Sequence, residues 1–161
     1  MHQAAQIEIR RATAEDAQAI AGVLYLAFVE FRPLYTEGGF AATVLDAEQV
    51  LSRMKEGPIW LLLRGETPVG TVAAVIKEES VYVRGMAVIS SARGSGAGSK
   101  LLREVENWSA EQGYARLFLS TTPFLHAAIR LYEKSGFRRT GDGLHDLAGT
   151  PLFTMEKIVS K

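Results

Sequence analysis

Three aliphatic and β-branched runs, Ile59–Arg64, Val69–Lys77 and Val81–Ile89, follow one another with only Gly65-Glu66-Thr67-Pro68 and Glu78-Glu79-Ser80 between them. Connections that short cannot carry the crossover of a dozen or more residues that parallel neighbours need, so the runs form an antiparallel meander. The chain then passes through a glycine-rich stretch, Ser91–Lys100, into an amphipathic helix with Leu101, Leu102, Val105 and Trp108 on one face and Gly113 closing it. Before the meander, Ile7 and Ile9 alternate as a strand, and Thr13 caps a helix striped by Ile20, Val23, Leu24, Ala27 and Phe28. Residues Pro33–Thr43, with Gly38-Gly39 in the middle, read as a loop, and a second helix covers Asp46–Lys55. After Gly113 come a strand at Ala115–Ser120, a helix opening at Pro123 and ending at Gly136, and strands at Phe137–Thr140 and Leu152–Val159. The order β-α-α-β-β-β-α-β-α-β-β describes one mixed α/β domain over residues 1–161, without the alternation of a doubly wound fold.

Composition narrows the chemistry. At 161 residues and 47% hydrophobic, the chain has the length and apolar content of one globular domain. Eighteen Lys+Arg balance eighteen Asp+Glu, which removes the electrostatic footprint of a nucleic-acid binder and predicts no nucleic-acid partner. The chain has no cysteine, which excludes thiol catalysis and cysteine-held metals. His2, His126 and His145 share no ligand spacing, so no metal is expected. Apolar runs fall far below the ~20 residues of a bilayer span, and the N-terminus has no basic-then-apolar segment. The expectation is a cytoplasmic protein without a membrane partner.

The informative segment is Arg93-Gly94-Ser95-Gly96-Ala97-Gly98-Ser99, set between a strand and a helix start. Such a turn exposes several backbone N–H groups and aims the positive end of the helix dipole outward, which makes a phosphate or pyrophosphate site. A P-loop needs G-x-x-x-x-G-K-[S/T], but Ser99 precedes Lys100 and Leu101 follows it. A dinucleotide fingerprint starting at Gly94 needs glycine where Ser99 stands, and an antiparallel meander precedes the loop instead of a parallel unit. What remains is Arg93-x-x-Gly96-x-Gly98, with Leu131-Tyr132-x-x-x-Gly136-Phe137 downstream.

These two motifs, in this spacing, resemble the GNAT superfamily of acyl-CoA-dependent N-acyltransferases, with its [Q/R]-x-x-G-x-[G/A] and LYxxxGF patterns. The resemblance covers nearly the whole chain. It implies a central mixed, mostly antiparallel sheet of six to seven strands flanked by about four helices and splayed between the fourth and fifth strands. It further implies acetyl-CoA as cosubstrate, with backbone groups of Met86, Ala87 and Val88 along the pantetheine and thioester. Gly94, Ser95, Gly96, Ala97, Gly98 and Ser99 would hold the pyrophosphate, and Arg93 would add charge there. Tyr132 matches the family's general acid, since a phenol of pKa ~10 is protonated at neutral pH and can donate to a departing thiolate. The base stays open between Glu78 or Glu79 in the turn before the cofactor strand, Glu30 or Glu37 on the acceptor side, and a water relay. His126 stands about 240° around a helix from Tyr132 and is read as a capping or surface residue. One departure is Leu125, where relatives often have asparagine; Ser120, Thr121 or Thr122 are the available substitutes.

The implied activity is N-acetylation of a primary amine on a small molecule or peptide by direct attack. A non-catalytic acyl-CoA-binding sensor or assembly module is the alternative. Phe28, Phe31, Tyr35 and Phe40 outline an amphipathic acceptor pocket, and zero net charge steers no particular acceptor. The apolar C-terminal strand, taken as an unpaired edge, predicts a homodimer.

Overall fold

The computed structural model describes residues 6–159. Eight strands form one sheet system: β1 (Ile7–Arg11), β2 (Ile59–Arg64), β3 (Thr67–Lys77), β4 (Ser80–Val88), β5 (Arg116–Thr121), β6 (Arg138–Arg139), β7 (His145–Leu147) and β8 (Thr150–Ile158). The spatial order is β1-β2-β3-β4-β5-β8-β6, with β7 also on β8. Every pairing is antiparallel except β4 with β5, as the expected fold class requires. Alternation along β2 divides the core. Trp60 and Leu62 face the helix α4 (Ala97–Glu111), while Ile59 and Leu61 face α1 (Ala17–Phe28) and α3 (Ala47–Met54).

Local signals account for most element ends. Asp46 Oδ1 accepts from Gln49 N at 2.9 Å while Asp46 N donates to Gln49 Oε1 at 3.0 Å, a reciprocal cap that starts α3. Thr13 caps a short 3₁₀ turn, Ala14–Asp16, that feeds α1; Asp16 accepts from Thr13 N at 2.8 Å and from Arg10 at 2.8 and 2.9 Å. The combined helical run Ala14–Leu34 has the length and apolarity of a membrane span. In this fold, however, α1 turns Ile20, Val23, Leu24 and Ala27 into the core.

Three expectations change. The stretch read as a loop contains a fifth helix, α2 (Glu37–Thr43), capped by the Thr36 hydroxyl, which accepts from Gly39 N at 2.9 Å. Its two glycines permit close approach to the β7–β8 hairpin: a Cβ on Gly38 would stand 2.8 Å from that of Ala148. The last helix, α5 (His126–Lys134), starts three residues after Pro123, because Thr122–Leu125 form a turn with Leu125 N donating to Thr122 O at 3.2 Å. Finally, β8 is no edge. It pairs with β5 on one side and with β6 and β7 on the other, so the unpaired edge that motivated a dimer does not exist.

Candidate active site

Strands β4 and β5 pair only at Val81↔Leu117 and Tyr82↔Phe118. The Tyr82 and Phe118 rings stack there, 5.0 Å apart and 13° from parallel, and close the apex of the split. Beyond it β4 has no strand partner on its β5 side among the described residues. An extra residue on β4 shifts its register against β3 between Thr71 and Ala73. Gly85 carries the bulge, with φ +61, a left-handed conformation that a side chain would strain.

The split opens into a cavity of about 560 Å³. Met86, Ala87, Val88, Arg93, Gly94, Gly96, Ala97, Gly98 and Ser99 all line it, so the sheet geometry gathers nearly the whole predicted cofactor set. Ser95 does not line it; its hydroxyl donates to the Ala92 carbonyl within the turn. Gly96 is the N-cap of α4 at φ +83, and a Cβ there would meet no atom within 4 Å, which leaves the loop backbone open to a large anion. Gly98 serves packing instead, since a Cβ would lie 2.5 Å from Leu131 Cδ2.

Tyr132 lies on the cavity wall, 6% exposed, on α5. The motif around it has a mechanical explanation. Gly136, at φ +98, ends α5 in a left-handed turn, and Phe137 N donates back to Tyr132 O at 2.9 Å. Phe137 is thereby buried edge-on to the Tyr132 ring, centroids 6.1 Å apart, and fixes it. Burial raises the phenol's pKa, and the nearby Tyr35 raises it further. Tyr35, also on the wall, is pushed up to about 12 by burial, against a partial opposing effect from the neighbouring Thr43 and Thr122 hydroxyls. The Thr122 hydroxyl is buried without a hydrogen-bond partner among the described residues.

The base candidates fare differently. Glu79 sits with Glu78 on the exposed β3–β4 turn, at the far end of β4 from the loop, and Glu37 is exposed on the first turn of α2. None of them lines the cavity, and neither does Glu30, whose carboxylate accepts from Arg93 Nη1 at 2.5 Å. Arg93 is held further by Nε to Val88 O at 3.1 Å and Nη2 to Ala27 O at 2.8 Å, so much of its bonding capacity is spent joining α1 to the end of β4. Leu125, the residue just before α5, lines the cavity, and so does Ser120, whose hydroxyl meets His145 Nε2 at 3.2 Å. His126 is exposed.

Sequence reasoning missed Arg53 and Arg84, which stand on the wall beside Gly85. A glycine inside the strand run Val81–Ile89 was the available signal, since an isolated strand glycine marks a bulge or a close approach. With Arg93, Arg130 and Lys134 these make five lining cations, while no carboxylate or imidazole among the described residues lines the cavity. The wall therefore suits an anionic occupant. No cluster of metal-ligating side chains exists among the described residues.

Known proteins place this geometry. The PaiA N-acetyltransferase of Thermoplasma acidophilum, solved in complex with coenzyme A, superposes with a TM-score of 0.79 at 19% identity, covering 95% of this chain and 99% of that one. A GNAT-family acetyltransferase from Staphylococcus aureus gives the same TM-score over 96% of this chain and 100% of its own, also at 19% identity. In sequence, human N-acetylaspartate synthetase is 31% identical over 143 residues, 87% of this chain and 47% of that protein. The mouse probable N-acetyltransferase family 8 member 5 is 33% identical over 91 residues, 53% of this chain and 40% of that protein. The chain thus spans about half the length, or less, of these curated relatives. The sequence profile of the acetyltransferase (GNAT) family matches residues 20–137, and with the split sheet and glycine turn it carries the conclusion that this chain belongs to that family.

Proposed function

We propose that the protein transfers an acetyl group from acetyl-CoA to a primary amine by direct attack, with Tyr132 as the proton donor to the departing sulfur. The observation that carries this reading is the convergence of three features on one cavity: the β4–β5 split, the Gly94–Ser99 turn and the Tyr132 phenol. The residues fit a coenzyme A group. Gly94 and Gly96 are left-handed with open space where a Cβ would be, and α4 begins at the turn with its positive dipole end.

Bound acetyl-CoA supplies an acetyl thioester whose carbonyl carbon takes the amine nitrogen. The unpaired backbone of β4 near Met86–Val88 polarises the carbonyl oxygen by N–H donation. Tyr132, kept neutral by burial on the cavity wall, would donate its phenol proton to the departing sulfur as the C–S bond breaks and the C–N bond forms. The amine gives up one proton over the reaction, which restores the one Tyr132 donates. No carboxylate or imidazole among the described residues lines the cavity, so an ammonium acceptor loses its extra proton to water before it enters, and the proton the neutral amine gives up returns to Tyr132 through water.

Thiol release on mixing with acetyl-CoA and a set of primary amines tests this reading, with calorimetric CoA binding alongside. The expected result is amine-dependent thiol release. CoA binding with no release for any amine class would favour a non-catalytic acyl-CoA module instead.

A further inference from the structure

The cavity wall has two parts. One is formed by the Gly94–Ser99 turn and the start of α4, which the pyrophosphate would take. The other lies on the α1–α3 side, where Phe28, Tyr35 and Thr43 form an apolar and hydroxylated wall. Arg53, in the last turn of α3, is on that side, and its guanidinium rests on the bulge: a Cβ at Gly85 would lie 2.9 Å from Arg53 Nη1. Gly85 thus admits the bulge and also makes room for the arginine.

Arg53 has no hydrogen bond or ion pair among the described residues, although it is half-buried. Burial lowers its pKa to about 10, and the neighbouring Arg84 charge lowers it too, while Tyr82 and Glu56 act weakly the other way. It therefore remains cationic at neutral pH. Arg84 is partly answered by Glu56, 3.3 Å away and half exposed at the rim. A half-buried, unpaired guanidinium beside a second one is costly unless an anion completes it, and a planar donor fork matches a carboxylate in shape. No carboxylate among the described residues lines this wall.

We infer that Arg53, supported by Arg84, receives a carboxylate carried by the acceptor, so that the substrates are amines bearing an acid group, such as free amino acids. This rests on the acetyltransferase reading above. The seat places the acid at the Gly85 bulge, with the rest of the acceptor against Phe28 and Tyr35. Polyamines and other polycationic acceptors are disfavoured by the same charge.

The test compares the standard L-amino acids with their α-carboxamides as acceptors, by thiol release, and measures calorimetric binding of the best amino acid to the enzyme–CoA complex. The expected preference for acid over amide is roughly 10–100-fold in kcat/KM, the size of a hydrogen-bonded charge pair. Arg53→Gln should bring the ratio near unity and abolish the calorimetric signal for the amino acid, and Arg53→Lys should restore part of both. CoA affinity of each variant reports that it is folded. Amides acetylated as well as or better than acids would overturn the inference and leave the acetyltransferase reading standing. An Arg53→Gln variant that loses CoA affinity while keeping the acid preference would also overturn it, by making Arg53 a phosphate ligand. No CoA binding and no release with either series would remove both readings.

Discussion

Tyr132→Phe separates the chemistry of the site from its packing. The ring is 6% exposed and held edge-on by Phe137, and no protein hydrogen bond to its hydroxyl is found among the described residues. Removing the oxygen therefore breaks no bond and leaves no orphaned partner, and stability should change by no more than about 0.5 kcal/mol. Tyr132→Ala would be a poor substitute, because emptying that position costs about 3–5 kcal/mol through the cavity it leaves. Loss of a positioned acid removes roughly 10²–10⁴-fold of rate, or about 2.7–5.4 kcal/mol of barrier lowering. The assay is thiol release at saturating acetyl-CoA with the best amine, preceded by a single-turnover measurement to establish that chemistry limits the rate. The expected outcome is a large fall in kcat with CoA affinity within about twofold. Burial holds the phenol protonated well above its usual range, so wild-type kcat/KM for the amine should rise as the free amine loses its proton, and kcat should show no alkaline fall below about pH 10. Wild-type turnover in Tyr132→Phe would refute the assignment, because the thiolate would then leave unaided. Collapse of CoA binding would refute it differently, by making the phenol a binding group.

Three further outcomes follow from the same geometry. Gly96→Ala should strain the left-handed N-cap at φ +83 by about 1–2 kcal/mol and weaken CoA binding in calorimetry, whereas Gly98→Val should lower Tm by driving its side chain into Leu131; equal behaviour of the two would contradict the division of roles. Arg93→Met should lower stability by about 1–3 kcal/mol in denaturant titration, since it frees the Ala27 and Val88 carbonyls, and an unchanged midpoint with weaker CoA binding would make Arg93 chiefly a phosphate ligand. Arg10, then the Thr13 amide, hold the Asp16 carboxyl down at about 2, against a modest upward push from burial. Its contribution to stability is therefore complete above about pH 4 and lost as pH falls from there toward 2. Asp16→Asn should lower Tm at pH 7 and flatten that acid limb, and parallel limbs in the two proteins would show that the pair contributes nothing.

Features encoded over a few neighbouring residues could be read directly from the chain. The meander followed from three β-rich runs with connections too short for a crossover, and α4 from its apolar stripe closed by Gly113. The glycine turn and the LYxxxGF segment likewise announce a cofactor slot, because anion cradles and left-handed helix ends need particular residues at fixed local offsets. Features set by distant partners could not be read this way. Gly38-Gly39 looks like a flexible loop until Ala148 and Thr150, over a hundred residues later, are seen to press on a helix there. Glu30 looks like a free base until Arg93, 63 residues on, takes its carboxylate. The C-terminal strand looks like an open edge until β6 and β7 turn back to cover it. Arg53 is one more basic residue at the end of a surface helix until the bulge at Gly85 brings it into the cavity. In each case a side chain's role depends on what meets it across the fold, and packing of segments far apart in sequence leaves no period, cap or turn signature by which a local pattern could reveal it.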